Sequence, residues 1–394
     1  MTIKKLQDLT LSGKRVLIRA DLNVYGDSSK NAALDARLKE LLPTLKLVTE
    51  QQGRAIVMSH MGKPKGRANP AHSLRTAAAR LQELCGTTVT FAEESVGSGS
   101  LERSRTLQPG EILMLENLRF NPGEETNDQH FAAALAQLGD VFISEAFGTM
   151  HRQHASVVSV PKQIKERGIG LLVQRELDIL ERTLANPKRP LCFVLGGSKL
   201  SNRLKLVLNV AKKADKLVIG GAMANTFLAA QGLQMGRSLY EPELFPKVFE
   251  LISTLARRDG KLYLPVDFRI GDSLQSHGLS RIVTAQEVPA ESMVLDIGPA
   301  TSSLYGTAIA NADTIVWNGP MGAFENEDYA SGTHEIVQAL GSAHGLTIAG
   351  GGDTEAAIRQ MELSHKFGFI SSGGGAFLAT LEGEKLPGLA VLEC

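Results

Sequence analysis

The chain has 394 residues, enough for two domains at roughly 150 residues each, and 43% of them are hydrophobic, ample for large buried cores. Lys and Arg number 42 and Asp and Glu also 42, so the sequence lacks the excess positive charge that binds nucleic acid or anionic membranes, and any basic site must be local. Its N-terminus has no signal-peptide core, no apolar run approaches the ~18 residues of a membrane helix, and Cys85, Cys192 and Cys394 show no metal spacing. The expectation is a cytoplasmic globular protein with reduced thiols.

In chain order, the first buried run is RVLIRA (15–20), followed by a helix-period stretch, ALDARLKELLPTLKLVTEQQ (33–52). AIVMS (55–59) and EILMLEN (111–117) come next, then a second helical segment, DQHFAAALAQLG (128–139), and DVFISEA (140–146). IGLLVQRELDILERTLAN (169–186) has a helical apolar period and is expected to join two halves of the chain. Beyond it lie PLCFVLGG (190–197), KLVIGG (216–221), MVLDIG (293–298), TIVWNGP (314–320) and LTIAGGG (346–352). These runs are continuous rather than alternating, as strands buried on both faces of a parallel sheet require. Their alternation with helices predicts an α/β protein with doubly wound sheets.

The two halves differ in the residues placed just after their strands. Before about residue 170 these are Asp21, His60, Arg119 and Arg152; afterwards they are Gly196-Gly197, Gly220-Gly221, Gly319, Gly350-Gly351-Gly352 and Gly373-Gly374-Gly375. Ligands of open α/β sheets bind beyond the carboxyl ends of the strands. The first half therefore offers cations to a small, highly charged anion, and the second offers close backbone to a nucleotide. Arg37, His60, Lys63, Arg119, His151, Arg152 and His154 form the basic set, since guanidinium groups grip carboxylate and phosphate oxygens in pairs. Taken singly, each is more often a solvated surface charge, and the case rests on four strand ends in one domain. HRQH (151–154) has helical metal spacing but no third ligand in reach. Asp21 and Asn23 are either turn formers or groups that hold arginines and accept substrate hydroxyls.

GGGD (350–353) and SSGGGAFLATLEG (371–383) each run from a strand into a helix, where successive N–H groups bind phosphate. Glycine triplets alone more often mark tight turns. Asp353 is more telling, because a carboxylate at an anion site needs a cation between, and Mg²⁺ is the natural one. Glu325 in WNGPMGAFE (317–325) is placed to accept from ribose hydroxyls, and GGSKLSNR (196–203) resembles an unfinished phosphate loop without the G-x-x-x-x-G-K-[ST] spacing. No Ser-His-Asp or Cys-His arrangement and no general base is evident. Phosphoryl transfer to a carboxylate needs none, because that nucleophile carries no proton.

RADLNV, SHMGKPKG, LENLRFNPGEE, EAFGTMHRQHAS, GGSKLSN, WNGPMGAFE, GGGDT and SSGGGAFL, in this order, resemble the phosphoglycerate kinase family over essentially the whole chain. The resemblance implies two Rossmann-like α/β domains, with parallel sheets facing across a hinged cleft. Residues 1–170 plus 387–394 would bind phosphoglycerate and 171–386 the nucleotide. It implies reversible transfer from 1,3-bisphosphoglycerate to ADP, giving 3-phosphoglycerate and ATP with Mg²⁺, by a monomer without nucleic-acid or membrane partners. Substrate would meet Asp21, Leu22, Asn23, Arg37, His60, Met61, Gly62, Lys63, Arg119 and Arg152. The nucleotide would meet Gly197, Lys199, Arg203, Asn318, Glu325, Gly351, Gly352, Asp353 and Thr354, with Asp353 on the metal. Arg37, Lys199, Arg203 and the backbone of Gly373, Gly374 and Gly375 would neutralise the moving phosphoryl group.

The sequence departs from the family pattern at several points: Leu22 and Tyr25 replace Phe and Pro, Lys63 an arginine, and Arg203 the second lysine of a K-x-x-x-K pair. Asn202 stands where an acid is frequent, and 24–36 is atypical. An alternative is therefore a diverged paralogue that binds phosphorylated ligands but catalyses weakly. A nicotinamide dehydrogenase is excluded, because no G-x-G-x-x-G comes after the first strand with an acid about 20 residues on.

Overall fold

The computed structural model describes residues 3–24, 30–275 and 280–393. Tyr25 and the rest of 25–29 lie outside them. The chain divides into two compact units, one comprising the chain up to Ile179 together with the stretch from Lys385 onward, the other Leu180–Glu384.

The first unit is built on strands β1 (Arg15–Ala20), β2 (Arg54–Met58), β3 (Val89–Phe91), β4 (Ile112–Met114), β5 (Val141–Glu145) and β6 (Glu166–Ile169). They form one parallel sheet in the order β3-β4-β2-β1-β5-β6. β1 and β2 are central, and their Val, Leu and Ile side chains are fully buried, which is why these runs do not alternate. Helix Lys30–Glu50 covers the sheet with Leu38, Leu41, Leu45 and Val48, and stops where Gln52 turns left-handed at φ 60°. Helix Gln129–Ala136 opens on Asp128, whose carboxylate accepts from Phe131 N at 2.7 Å. The last residues return to this unit: Gly388 N donates to Met150 O at 2.9 Å, and Arg167 Nε donates to Val391 O at 2.9 Å.

The second unit contains β7 (Leu191–Leu195), β8 (Lys216–Ile219), β9 (Lys261–Tyr263), β10 (Asp267–Gly271), β11 (Arg281–Thr284), β12 (Met293–Ile297), β13 (Thr314–Asn318), β14 (Leu346–Ala349) and β15 (Phe369–Ile370). Six of these make a second parallel sheet, β15-β14-β13-β7-β8-β9. Two parallel-sheet α/β units are thus the architecture, as the buried runs predicted. One element differs. MVLDIG, expected in the parallel sheet, is β12 of a separate three-stranded sheet, β11-β10-β12, in which β10 pairs antiparallel with both neighbours. An apolar run announces burial but not strand direction, and β11 of the same sheet is largely exposed, as a one-faced antiparallel strand is.

Helix Leu171–Leu184 carries the chain from the first unit to the second, the division falling at Ile179/Leu180. Among the described residues no helix is long and apolar enough to cross a membrane.

Candidate functional site

In the first unit the strand ends assemble a cationic cluster around a residue missed in the sequence, Arg19. It sits inside RVLIRA, 1% exposed, and its fork is spent on three neighbours. Arg19 Nε donates to Ser156 Oγ at 2.8 Å, one terminal nitrogen donates to Ala20 O, and the other stands 3.1 Å from His60 Nδ1. Ser156 Oγ in turn donates to the buried Glu124 at 2.6 Å, which answers the cation through one hydroxyl. A guanidinium has no acceptor, so His60 Nδ1 must be the acceptor and Nε2 carries the imidazole proton. That Nε2–H is buried and, among the described residues, has no hydrogen-bond partner. Burial, then Arg19, Arg119, Arg152 and His154, hold the His60 pKa well below its usual value, so the ring is a neutral donor waiting for an acceptor. His154 is likewise pushed down to about 4, by burial first and then by Arg119, Arg152 and Arg19. Burial is the larger cause of both shifts, and the arginine contributions that follow it add a positive potential that an anion would relieve.

The predicted substrate residues gather here with different degrees of freedom. Asn23 Oδ1 accepts from Gly62 N at 2.8 Å and Asn117 Nδ2 donates to Met61 O at 2.8 Å, so both fasten the 60–63 turn. Gly62 sits at φ +63°, and a Cβ there would stand 2.4 Å from the His72 ring. Leu22 buries its side chain fully in the core, and its N–H donates to Ser59 Oγ at 2.9 Å. Arg119 is also buried, tied to Gly62 O at 2.7 Å and to Glu125 at 3.1 Å. Arg152 is half-buried with Nε 3.4 Å from His151 Nε2, Lys63 is exposed, and Asp21 lies 4.0 Å from His60 Nδ1. Arg37 projects from helix Lys30–Glu50, 4.0 Å from Glu40.

The second unit holds a cavity of about 590 Å³, a size suited to a nucleotide. Its walls bring together Gly197, Lys199, Arg203, Glu325 and Asp353 with an apolar side that includes Phe268, Leu274, Met293 and Leu295. Two helices, Gly352–Gln360 and Gly374–Leu381, start side by side: a Cβ on Gly374 would lie 3.0 Å from Gly351 Cα. Paired N-termini and flanking cations make an anion cradle. The glycines divide into two kinds. Gly319, at φ +93°, lies against the backbone of Gly196, where a Cβ would meet Gly196 O at 2.4 Å, whereas Gly352 faces open space. Asn318 and Thr354 lie behind the cavity wall, each 1% exposed, and Thr354 Oγ1 accepts from Gly319 N at 2.8 Å. Glu241 and Glu382, unanticipated, also belong to this unit's charge pattern. Burial would raise Glu241, but hydrogen bonds from Ser201 and Leu200 and the charge of Lys199 carry it below the usual range. Glu382 lines the cavity beside Arg203 and is raised, chiefly by burial.

Among the described residues no group of three or more His, Cys, Asp or Glu is arranged to hold a metal. Asp353, exposed in the first turn of helix Gly352–Gln360 and lining the cavity, is the carboxylate nearest the cradle that could serve a cation. That fits Mg²⁺, which keeps waters and takes phosphate oxygens, better than a cation needing a full protein cage.

A buried cationic cluster in one unit, and in the other a cavity beside two glycine-headed helix starts, define a two-unit α/β protein of the kind that handles phosphorylated ligands. The sequence profile described as phosphoglycerate kinase matches residues 6–384. Phosphoglycerate kinase of Geotalea uraniireducens is 42% identical over 394 residues, covering 100% of this chain and 99% of that one. The Chloroflexus aggregans enzyme is 44% identical over 398 residues, covering 100% and 99%. Among solved structures, phosphoglycerate kinase from Coxiella burnetii superposes with a TM-score of 0.88 at 36% identity, covering 99% of each chain. That from Pyrococcus horikoshii gives 0.81 at 30%, covering 98% of each. The chain belongs to the phosphoglycerate kinase family, a family of phosphotransferases. None of these comparisons favours the weakly catalytic alternative.

Proposed function

We propose that the protein transfers a phosphoryl group reversibly between the acyl phosphate of 1,3-bisphosphoglycerate and ADP, yielding 3-phosphoglycerate and ATP. The observation that carries this reading is the His60 Nε2–H: a buried, neutral donor without a partner among the described residues, surrounded by the charges of Arg19, Arg119 and Arg152, suits an anionic acceptor. The phosphoglycerate would lie against Asp21, Asn23, Arg37, His60, Arg119 and Arg152, and the nucleotide in the cavity with Lys199, Arg203, Glu325 and the glycines heading the two helices. The acceptor carboxylate has no proton to lose, so the chain's residues need only align the reactants and neutralise charge on the moving group. Arg37, Lys199, Arg203 and the N–H groups from Gly373 to Gly375 supply that neutralisation. Asp353 would hold Mg²⁺, which would supply charge neutralisation for the nucleotide phosphates.

The units are proposed to close about the helix Leu171–Leu184 when both ligands are bound, which makes the first unit the phosphoglycerate domain and the second the nucleotide domain. A cytoplasmic monomer without nucleic-acid or membrane partners completes the reading, supported by the sequence's formal neutrality. A coupled assay of ATP formation from 1,3-bisphosphoglycerate and ADP tests it. Turnover on the scale of a metabolic kinase is expected, and binding of both ligands without turnover would restore the paralogue reading.

A further inference from the structure

We propose that Asn318 is a positioning residue for Arg203: its carboxamide holds the guanidinium against the glycine turn, so that the remaining donors face the nucleotide phosphates. The inference rests on the function proposed above and adds a role within it. Asn318 is the last residue of β13 and is 1% exposed. Its Oδ1 accepts from a terminal nitrogen of Arg203, and its Nδ2 donates to Gly350 O. Arginine can only donate and a carbonyl can only accept, so a single orientation of the amide serves both. The approach is close: a Cβ on Gly351 would stand 2.6 Å from Asn318 Nδ2. Both polar atoms of the side chain are thereby committed inside the protein, and Asn318 does not line the cavity, whereas Arg203 does.

The need for such a clasp arises from the side chain it holds. An ammonium presents its donors in any direction, but a planar guanidinium delivers its five N–H groups usefully only when its plane is fixed. Arg203 lies at the start of helix Leu204–Ala211, with Gly197 beside it: a Cβ on Gly197 would be 3.7 Å from Arg203 Nε. Asp353 and Glu382 act on it electrostatically and would draw a freely rotating guanidinium toward themselves. Asn318 counters that pull with a neutral acceptor and ties the arginine to the turn from which helix Gly352–Gln360 begins. A carboxylate at 318 could hold the arginine but would set its charge against Gly350 O, and a hydroxyl would not span both partners.

The test is a double-mutant cycle of Asn318→Ala and Arg203→Ala, read by steady-state kinetics and by calorimetric binding of ADP, with thermal melts to confirm folding. Asn318→Ala is expected to lower kcat/KM for the nucleotide roughly tenfold, the factor of one lost hydrogen bond to a charged group, with the 3-phosphoglycerate KM unchanged. In the Arg203→Ala background the same change should cost less than about twofold, because there is no longer a guanidinium to orient. Equal losses in both backgrounds, or no loss in the wild-type background, would overturn the proposal. Should Asn318→Ala fail to fold, Asn318→Ser, a neutral side chain too short to span both partners, replaces it in the same cycle. Its loss is likewise expected to vanish without Arg203; a loss that persists there overturns the assignment. Absence of turnover in the wild type would instead count against the proposed reaction, and the ADP-binding cycle would then decide the role of Asn318 separately.

Discussion

Arg19 shows how much of the anion site depends on a residue that offers no contact of its own to solvent. Its guanidinium sets the His60 tautomer by occupying Nδ1, and so decides that a donor rather than an acceptor faces the pocket. A lysine would keep the charge but lose the fork that reaches Ser156 and His60 together. Arg19→Lys is therefore expected to raise the KM for 3-phosphoglycerate about tenfold, equivalent to ~1.4 kcal/mol, while leaving the nucleotide KM near its original value. Kinetics with each substrate varied in turn check this; equal shifts in both constants would mean general damage. The sequence hid Arg19 for a physical reason. Within RVLIRA it is one polar letter in an apolar strand, and its partners Ser156 and His60 are 137 and 41 residues away. His60, Arg119 and Arg152 were legible because each comes after a buried run at a strand end, where ligands gather. That Arg119 is already held by Gly62 O and Glu125 was not, since no spacing rule encodes those contacts.

At the scale of elements, the glycine-rich turns were legible as turns but not as two different devices. Gly319 needs φ +93° and backbone contact with Gly196, while Gly352 has neither constraint and heads a helix beside the cavity. Gly319→Ala is expected to cost about 2 kcal/mol or more of stability, from strained backbone and a forced separation of two turns. Gly352→Ala should leave the melting temperature almost unchanged and raise the nucleotide KM, because its methyl group enters space meant for phosphate. Melting curves and nucleotide titrations on the two variants distinguish the devices. A second element-scale feature is the start of helix Leu171–Leu184. Glu145, closing β5 and 2% exposed, accepts from Leu172 N at 3.0 Å and from Thr44 Oγ1, while Leu171 N donates to Thr44 at 3.1 Å. Its second oxygen has no partner among the described residues, and burial pushes the carboxyl up to about 7 against the hydrogen bonds of Thr44, Leu172 and Val173, with Glu40 adding to the rise. A raised folded-state pKa stabilises the protein fully below the unfolded value near 4.3, and that contribution is lost as pH rises through about 7. Glu145→Gln mimics the protonated group, so its stability relative to wild type should rise between pH 5 and 8, by on the order of a few kcal/mol. A pH-independent difference between the two melting curves would show that Glu145 does not titrate in this range. Direction was the least legible property at this scale. β12 read as a buried strand from MVLDIG, but the antiparallel strands of its sheet were too short and too polar to register.

At the scale of the whole molecule, the division of labour comes from what each unit can hold. The first carries a cationic cluster whose buried histidines are held toward the neutral form. The second carries a cavity with two helix N-termini at its edge and, among the described residues lining it, no comparable group of histidines and arginines. The chain crosses between the units twice, first within a continuous helix, Leu171–Leu184, and again at Glu384/Lys385. Transfer of a phosphoryl group requires reacting atoms about 3–3.5 Å apart and in line, and the proposed closure is the step that would meet this condition. Each ligand alone should therefore slow amide exchange in its own unit: 3-phosphoglycerate around 20–23, 60–63 and 151–154, and ATP around 197–203, 319–325 and 351–354. Both together should add protection along 171–184 and lower the radius of gyration in solution scattering more than either does alone. The comparison needs all four states, because a fall seen equally with ATP alone would assign the compaction to the nucleotide. Protection that is merely the sum of the two single-ligand patterns, with no added compaction, would mean that the reacting groups are aligned by some route other than closure.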